Sequence, residues 1–194
     1  MAQIEIDTSG IEKLADKMAK VPDVTLKAAA YAVNRTISRA ITFTAEEVRK
    51  EYPSIKRKDI KAGATIKKAT ANYLNMNASI TFKGTRLRAS MFPHTISRTK
   101  NRSPVTLKIK STAKTSKPSP VMFGEGSGGN RGARGTREVY KRINGQNAIK
   151  PVYTISIPQM ISNDDVYKRI SERVSDEFLK TFEHELDYRL GYLD

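Results

Sequence analysis

The chain of 194 residues has no cysteine and no tryptophan, only two histidines, and an aromatic content of 7%. Without thiols it can build neither a disulfide framework nor a thiolate metal site, so folding has to rest on packing. That is compatible with a reducing compartment. No apolar run approaches the roughly 20 residues of a membrane span, and residues 1–10 lack the apolar core of a secretion signal. The expectation is a soluble, unexported protein with no membrane partner. At 38%, hydrophobic residues are scarce for 194 positions, so less core is available than is usual for a chain of this length.

The groups that carry chemistry are equally sparse. His94 follows Pro93, and His184 lies among Glu183, Glu185 and Asp187. Neither joins the convergent set of residues that catalysis or metal binding requires. The adjacent carboxylates Glu46–Glu47 and Asp164–Asp165 cannot face one another on a helix. They are expected to be a solvated face and a helix-start charge. Six glycines crowd between Gly124 and Gly135, but the Gly-Lys-Ser/Thr ending of a phosphate-binding loop is missing. No catalytic residue, cofactor or metal is expected, and the chain is not expected to be an enzyme.

Acidic groups are missing from the middle of the chain, and there positive charge accumulates. The formal net charge is +15. Residues 49–117 hold 18 basic and 2 acidic groups, whereas residues 1–48 hold 6 and 7, and residues 151–194 hold 5 and 9. Lys56, Arg57, Lys58 and Lys61 cluster first, followed by Lys67 and Lys68, Arg86 and Arg88, Arg98, Lys100 and Arg102, then Lys108 and Lys110. Such a field attracts a polyanion, and phosphate contact needs only charge, not base readout. The few aromatics nearby, Tyr52, Tyr73, Phe82 and Phe92, offer little for stacking on bases.

Periodicity organises the rest. Ile4 and Ile6 open a short strand, and Ser9 with Glu12 forms a capping-box pattern ahead of a helix through Met18. Leu26, Ala30, Val33, Ile37, Ile41, Ala45 and Val48 mark a long helix from about Val24 to Glu51, stopped by Pro53. Its Asn34, Thr36, Ser38, Thr42 and Thr44 are mediocre helix formers, so packing has to stabilise it. Ser54 is expected to cap a short basic helix closed by Gly63. Alternation from Leu74 to Phe82 predicts a strand, paired with 64–70 across a turn at Ala71–Asn72. Val105–Lys110 predicts another. Residues 111–136, rich in Ser, Lys, Pro and Gly, predict a flexible loop or arm. Strands return at Glu138–Arg142 and Val152–Ile157. A last helix starts near Ser162 or Asn163 with Asp164 and Asp165 at its positive end. Its stripe, Val166, Ile170, Val174, Phe178, Phe182, Leu186 and Leu190, is widened by Leu179 and Leu193. Because it recurs every four residues, it winds about the helix. The pattern predicts one α+β domain over 1–194, with long N-terminal and C-terminal helices packed on a central, mostly antiparallel sheet.

Several stretches resemble the phage minor tail protein Z family: Glu138–Arg142, Ile149–Tyr153, Ile157–Met160 and Phe178–Leu186, together with the long helix leading to Tyr52 and the basic segment Ile55–Ile60. Ile157-Pro158 stands where the family pattern has Gly-Pro-Ser, and the 111–136 segment is longer. The resemblance implies a structural virion protein that completes the head-proximal end of a long tail and joins it to the head. It is assembled in the host cytoplasm and placed in the virion tail. A six-fold ring of copies surrounding or positioning DNA is implied, with the tail terminator and the head–tail connector as partners. The cations of the middle segment would then meet DNA phosphates. Tyr140, Arg142, Met160, Phe178, Phe182, Leu186 and Leu190 would be assembly contacts. A free, sequence-independent nucleic-acid-binding protein is the alternative.

Overall fold

The computed structural model describes residues 2–5, 22–70, 77–96, 105–111, 114–117, 121–125, 137–142 and 149–191. Helix α1 (Pro22–Glu51) begins with proline, whose missing amide hydrogen costs nothing at a helix start. It ends before Pro53. Its start lies two residues before the position read from periodicity. Small and branched residues, Ala28, Ala29, Ala32, Val33, Ile37, Ala40 and Val48, form its buried side. The weak helix formers are explained one by one. Thr44 Oγ1 donates to the Ala40 carbonyl at 2.8 Å, Ser38 Oγ donates to the Asn34 carbonyl at 2.9 Å, and Asn34 reaches across to Ala69.

Pro53 stands after the helix, and the buried Tyr52 and Ile55 pin the turn that follows. The short helix α2 (Arg57–Ala62) starts from Lys56, which is extended and makes no side-chain cap. Ser54 therefore does not cap it; the helix begins two residues too late for that hydroxyl. Gly63 closes α2 at φ −85°, an ordinary right-handed conformation. Its lack of a side chain matters for another reason: a Cβ there would lie 2.4 Å from the Lys83 carbonyl oxygen.

Strand β1 (Ala2–Glu5), β2 (Ala64–Lys67) and β3 (Ser79–Phe82) make an antiparallel sheet in the order β1-β3-β2. Ile4 and Ile66 flank Ile80, while Ala2 and Ala64 flank Phe82. One face thus enters the core, as alternation requires. The β2–β3 pairing is the one expected. Its Ala71–Asn72 turn, the upstream part of the predicted strand, and the Ser9–Met18 helix lie outside the described residues.

Strand β4 (Arg86–Arg88) pairs with β11 (Tyr153–Ser156). Strands β5 (His94–Ile96), β6 (Val105–Lys108) and β7 (Lys114–Lys117) form a second three-stranded sheet, and β8 (Val121–Glu125), β9 (Arg137–Arg142) and β10 (Ile149–Pro151) a third. The architecture is α+β, as expected, and among the described residues its antiparallel strands form several small sheets. One difference from the sequence reading stands out. β7 and β8 fall inside 111–136, where a loop was expected, and their ladder bonds to β6 and β9 come from the backbone, which composition does not report. His94 lies in a strand, with Nδ1 2.9 Å from the Phe92 carbonyl oxygen. Ala89, Leu107, Val139 and Val152 build a small second core.

Helix α3 (Ile157–Ile161) carries a full capping box. Ser156 Oγ accepts from the Gln159 amide, and Gln159 Oε1 accepts from the Ser156 amide at 2.9 Å. Helix α4 (Asp164–Leu190) follows, with Asn163 at its N-cap and Asp164 and Asp165 in its first turn, where negative charge is favoured. It runs antiparallel to α1: Glu47 meets Arg169 and Arg173, while Arg39 meets Glu177. From Val166 to Leu186 the four-step stripe lies in the main core with α1, β1 and β3. The winding stripe therefore follows the chain's own core. Leu179, expected to widen it, points to solvent at 50% exposure.

Candidate nucleic-acid interface

Helix α2 buries only Ile60, so its polar positions face outward. Lys56, Arg57, Lys58 and Lys61 are all exposed. Two of them have partners on α1. Arg57 lies 3.7 Å from Glu46, and Lys61 Nζ donates to Thr42 Oγ1 at 3.3 Å. The Arg57 pair is long and more than half exposed on the arginine side, which makes it a weak tie. Strand β2 turns Thr65 and Lys67 outward while Ala64 and Ile66 face inward, and Lys68 is exposed just beyond it.

Gly63 then brings in a second segment. Its carbonyl accepts from the Lys83 amide at 2.9 Å, and the exposed Lys83 and Arg86 border that contact. A third segment is tied in by Ser111, whose amide donates to the Glu51 carbonyl at 2.8 Å and so anchors the exit of β6 at the C-terminus of α1. Lys108 is exposed and Lys110 half-buried on that exit. Cations of α2 and of residues 108–110 therefore lie toward the C-terminal half of α1, Lys83 and Arg86 border Gly63, and Lys67 and Lys68 lead to Ala69, which Asn34 holds near the middle of α1. Among the described residues, Lys56, Lys58, Lys67, Lys68, Lys83, Arg86, Lys108 and Lys110 have no carboxylate within ion-pair distance.

The ladders add two further features. Register sets Lys108 opposite Lys114, and Lys141 opposite Lys150. Arg98, Lys100 and Arg102 lie outside the described residues. Tyr52, Phe82 and Phe92 are buried, so their rings are closed to bases.

The apolar assembly candidates sit elsewhere. Met160, Phe178, Phe182 and Leu186 are buried in the chain's own core, and the Phe178 and Phe182 rings stack at 5.9 Å. Their apolar surface is occupied within the protomer. Tyr140 is half-buried on β9, Arg142 ends that strand opposite Ile149, and Leu190 is the last residue of α4.

An ionic cluster between the long helices was not anticipated. Glu47, expected on a solvated face, is 3% exposed. It pairs with Lys50 at 2.7 Å, Arg169 at 3.2 Å and Arg173 at 3.3 Å. Arg173 also reaches Glu46 at 2.9 Å and stands 4.2 Å over the Phe43 ring. Burial pushes the Glu47 carboxyl up, but the hydrogen bonds and charges of Lys50 and Arg169 outweigh it and hold the group below its ordinary value. Two arginines four apart on the edge of the α4 stripe were the available signal. The cluster fastens α1 to α4; among the described residues, no group of three potential ligands is placed to hold a metal. No helix of the described residues is long and apolar enough to cross a membrane.

A family model of prophage minor tail protein Z (GPZ) matches residues 9–193, nearly the whole chain. No curated protein and no solved structure matches it.

Proposed function

The chain belongs to the prophage minor tail protein Z family, and from that premise we propose that it completes the head-proximal end of the tail as a ring of copies through which DNA is held or passed. It is a phage tail structural protein; the family is not a known enzyme family. The observation that supports the finer reading is the set of exposed cations without carboxylate partners carried by α2, β2 and the segments next to them. A ring gathers the same face of every copy about one axis. Repetition turns a few lysines per chain into a continuous positive lining, which suits phosphate contact without sequence preference. Six copies, with the tail terminator and head–tail connector as neighbours, complete this reading.

Electron micrographs of purified tails bearing labelled protein test it. The label is expected at the head-proximal end, and tails lacking the protein are expected to join heads poorly. Duplex DNA retention by the purified chain is expected to fall steeply as salt rises. Replacing Lys56, Lys58, Lys67 and Lys68 together with glutamine should reduce both retention and its salt slope. Absence of the protein from virions, with DNA retention intact, would favour the alternative of a free nucleic-acid-binding protein.

A further inference from the structure

The first half of α1 and the length of α4 each leave one face uncovered, and the two faces carry opposite charge. On α1, Lys27, Tyr31, Arg35 and Ser38 are exposed. At 100° per residue they fall within an arc of about 80°. On α4, Asp165, Glu172, Asp176, Glu183 and Asp187 are exposed, within an arc of about 60°. None of the charged groups in either ridge has an ion-pair partner among the described residues. Arg35 contacts only the Tyr31 hydroxyl, at 3.5 Å. The basic ridge runs from Lys27 to Ser38, roughly 17 Å of helix; beyond it the same arc holds Thr42, which accepts from Lys61, and the fully buried Ala45.

We propose that these ridges are the contact between copies: the basic ridge of α1 in one protomer docks along the acidic ridge of α4 in another. Charge complementarity singles out a second copy, since each protomer carries both halves of the contact. An antiparallel alignment that sets Lys27 beside Glu183 also sets Arg35 within one residue of Asp176 and Ser38 beside Glu172. It sets Tyr31 beside Leu179, an exposed apolar residue of α4. These two supply an apolar centre to an otherwise ionic contact, the arrangement that gives a charged interface its affinity. The contact leaves the α2 cations Lys56 and Lys58 free for a polyanion. The inference rests on the self-association contained in the reading above and names the surfaces that would carry it.

Charge reversal in the full-length chain tests it. One variant combines Glu172→Lys, Asp176→Lys and Glu183→Lys; a second combines Lys27→Glu and Arg35→Glu. Sedimentation velocity at low and high salt reads the association, and circular dichroism melts confirm folding. The wild type is expected to associate at low salt and to dissociate as salt rises. Each variant alone should associate more than ten-fold more weakly, and an equimolar mixture of the two should recover association. The neutral set Glu172→Gln, Asp176→Asn and Glu183→Gln, which adds no repulsion, should weaken association to a smaller degree and keeps the test decisive if a reversed chain fails to fold. A wild type that stays monomeric, variants that associate as the wild type does, or a mixture that recovers nothing would each overturn the interface. Labelled tails separate the two ideas. A chain found at the tail end but unaffected by these substitutions loses only this interface, whereas a chain that pairs through the ridges but is absent from tails loses the proposed function.

Discussion

The side-chain amide of Asn34 pairs with both backbone groups of Ala69: its Nδ2 donates to the carbonyl at 2.9 Å, and its Oδ1 accepts from the amide at 2.8 Å. One residue on α1 thereby does for the end of β2 what a neighbouring strand would do, and it fixes the exit of the Lys67–Lys68 segment. Asn34→Ala leaves both groups of the buried Ala69 unpaired. The expected loss is about 1–3 kcal/mol, read from the shift of a urea unfolding midpoint. Asn34→Asp keeps the acceptor and loses the donor, so it should also destabilise.

Glu47 makes stability depend on pH. Its folded-state pKa is lowered, after opposing burial, by Lys50 and Arg169. A carboxylate with a depressed folded pKa contributes stability that is fully present above its unfolded value, near 4.5, and is lost as pH falls through the folded value. Thermal melts should therefore hold steady above that range and drop below it, and Glu47→Gln should flatten the acid limb.

Removing the Glu47 carboxylate altogether leaves Arg169 and Arg173, neighbours on α4, without their most buried partner. Their side chains are one-third or more exposed, so water recovers part of the loss. The cost of Glu47→Ala is placed at about 1–3 kcal/mol, measurable by equilibrium unfolding at neutral pH.

Gly63→Ala forces a methyl group against the Lys83 carbonyl oxygen, 2.4 Å away in the present backbone. Backbone cannot swing aside as a flexible side chain can. A loss of about 1–3 kcal/mol is expected, with weaker DNA retention because the two lysine-bearing segments separate.

Thr36 tests the opposite sign. Its Oγ1 is buried without a hydrogen-bond partner among the described residues. Thr36→Val replaces that hydroxyl with a methyl group of similar size, so stability should stay level or rise by up to about 1 kcal/mol. A clear loss in denaturant titration would show that the hydroxyl has a partner.

Much of the architecture is written as local period. The long stripe of α1 and the four-step stripe of α4 identified both helices, because burial on one face imposes a repeat that neighbouring residues carry by themselves. Alternation found the β2–β3 pair in the same way. β7 and β8 escaped, since a ladder held by backbone hydrogen bonds leaves little trace in side-chain composition. Ser54 misled because the chain makes a further turn, closed by the Ile55 amide on the Tyr52 carbonyl, before the helix starts, so the N-cap position falls on Lys56, whose side chain caps nothing.

By itself the sequence determined the charge asymmetry, the two amphipathic helices and the absence of any thiol chemistry, all of which follow from which residues are present and how near neighbours repeat. Only the tertiary structure decided that Glu47 is buried, since the Arg169 that satisfies it stands 122 residues away. Only it showed that Met160, Phe178, Phe182 and Leu186 fill the chain's own core, and that Asn34 holds the exit of the Lys67–Lys68 segment near the middle of α1 while Ser111 anchors that of Lys108–Lys110 at its end. A side chain's pattern along the chain fixes the face it occupies, but what stands opposite that face is a property of the folded whole.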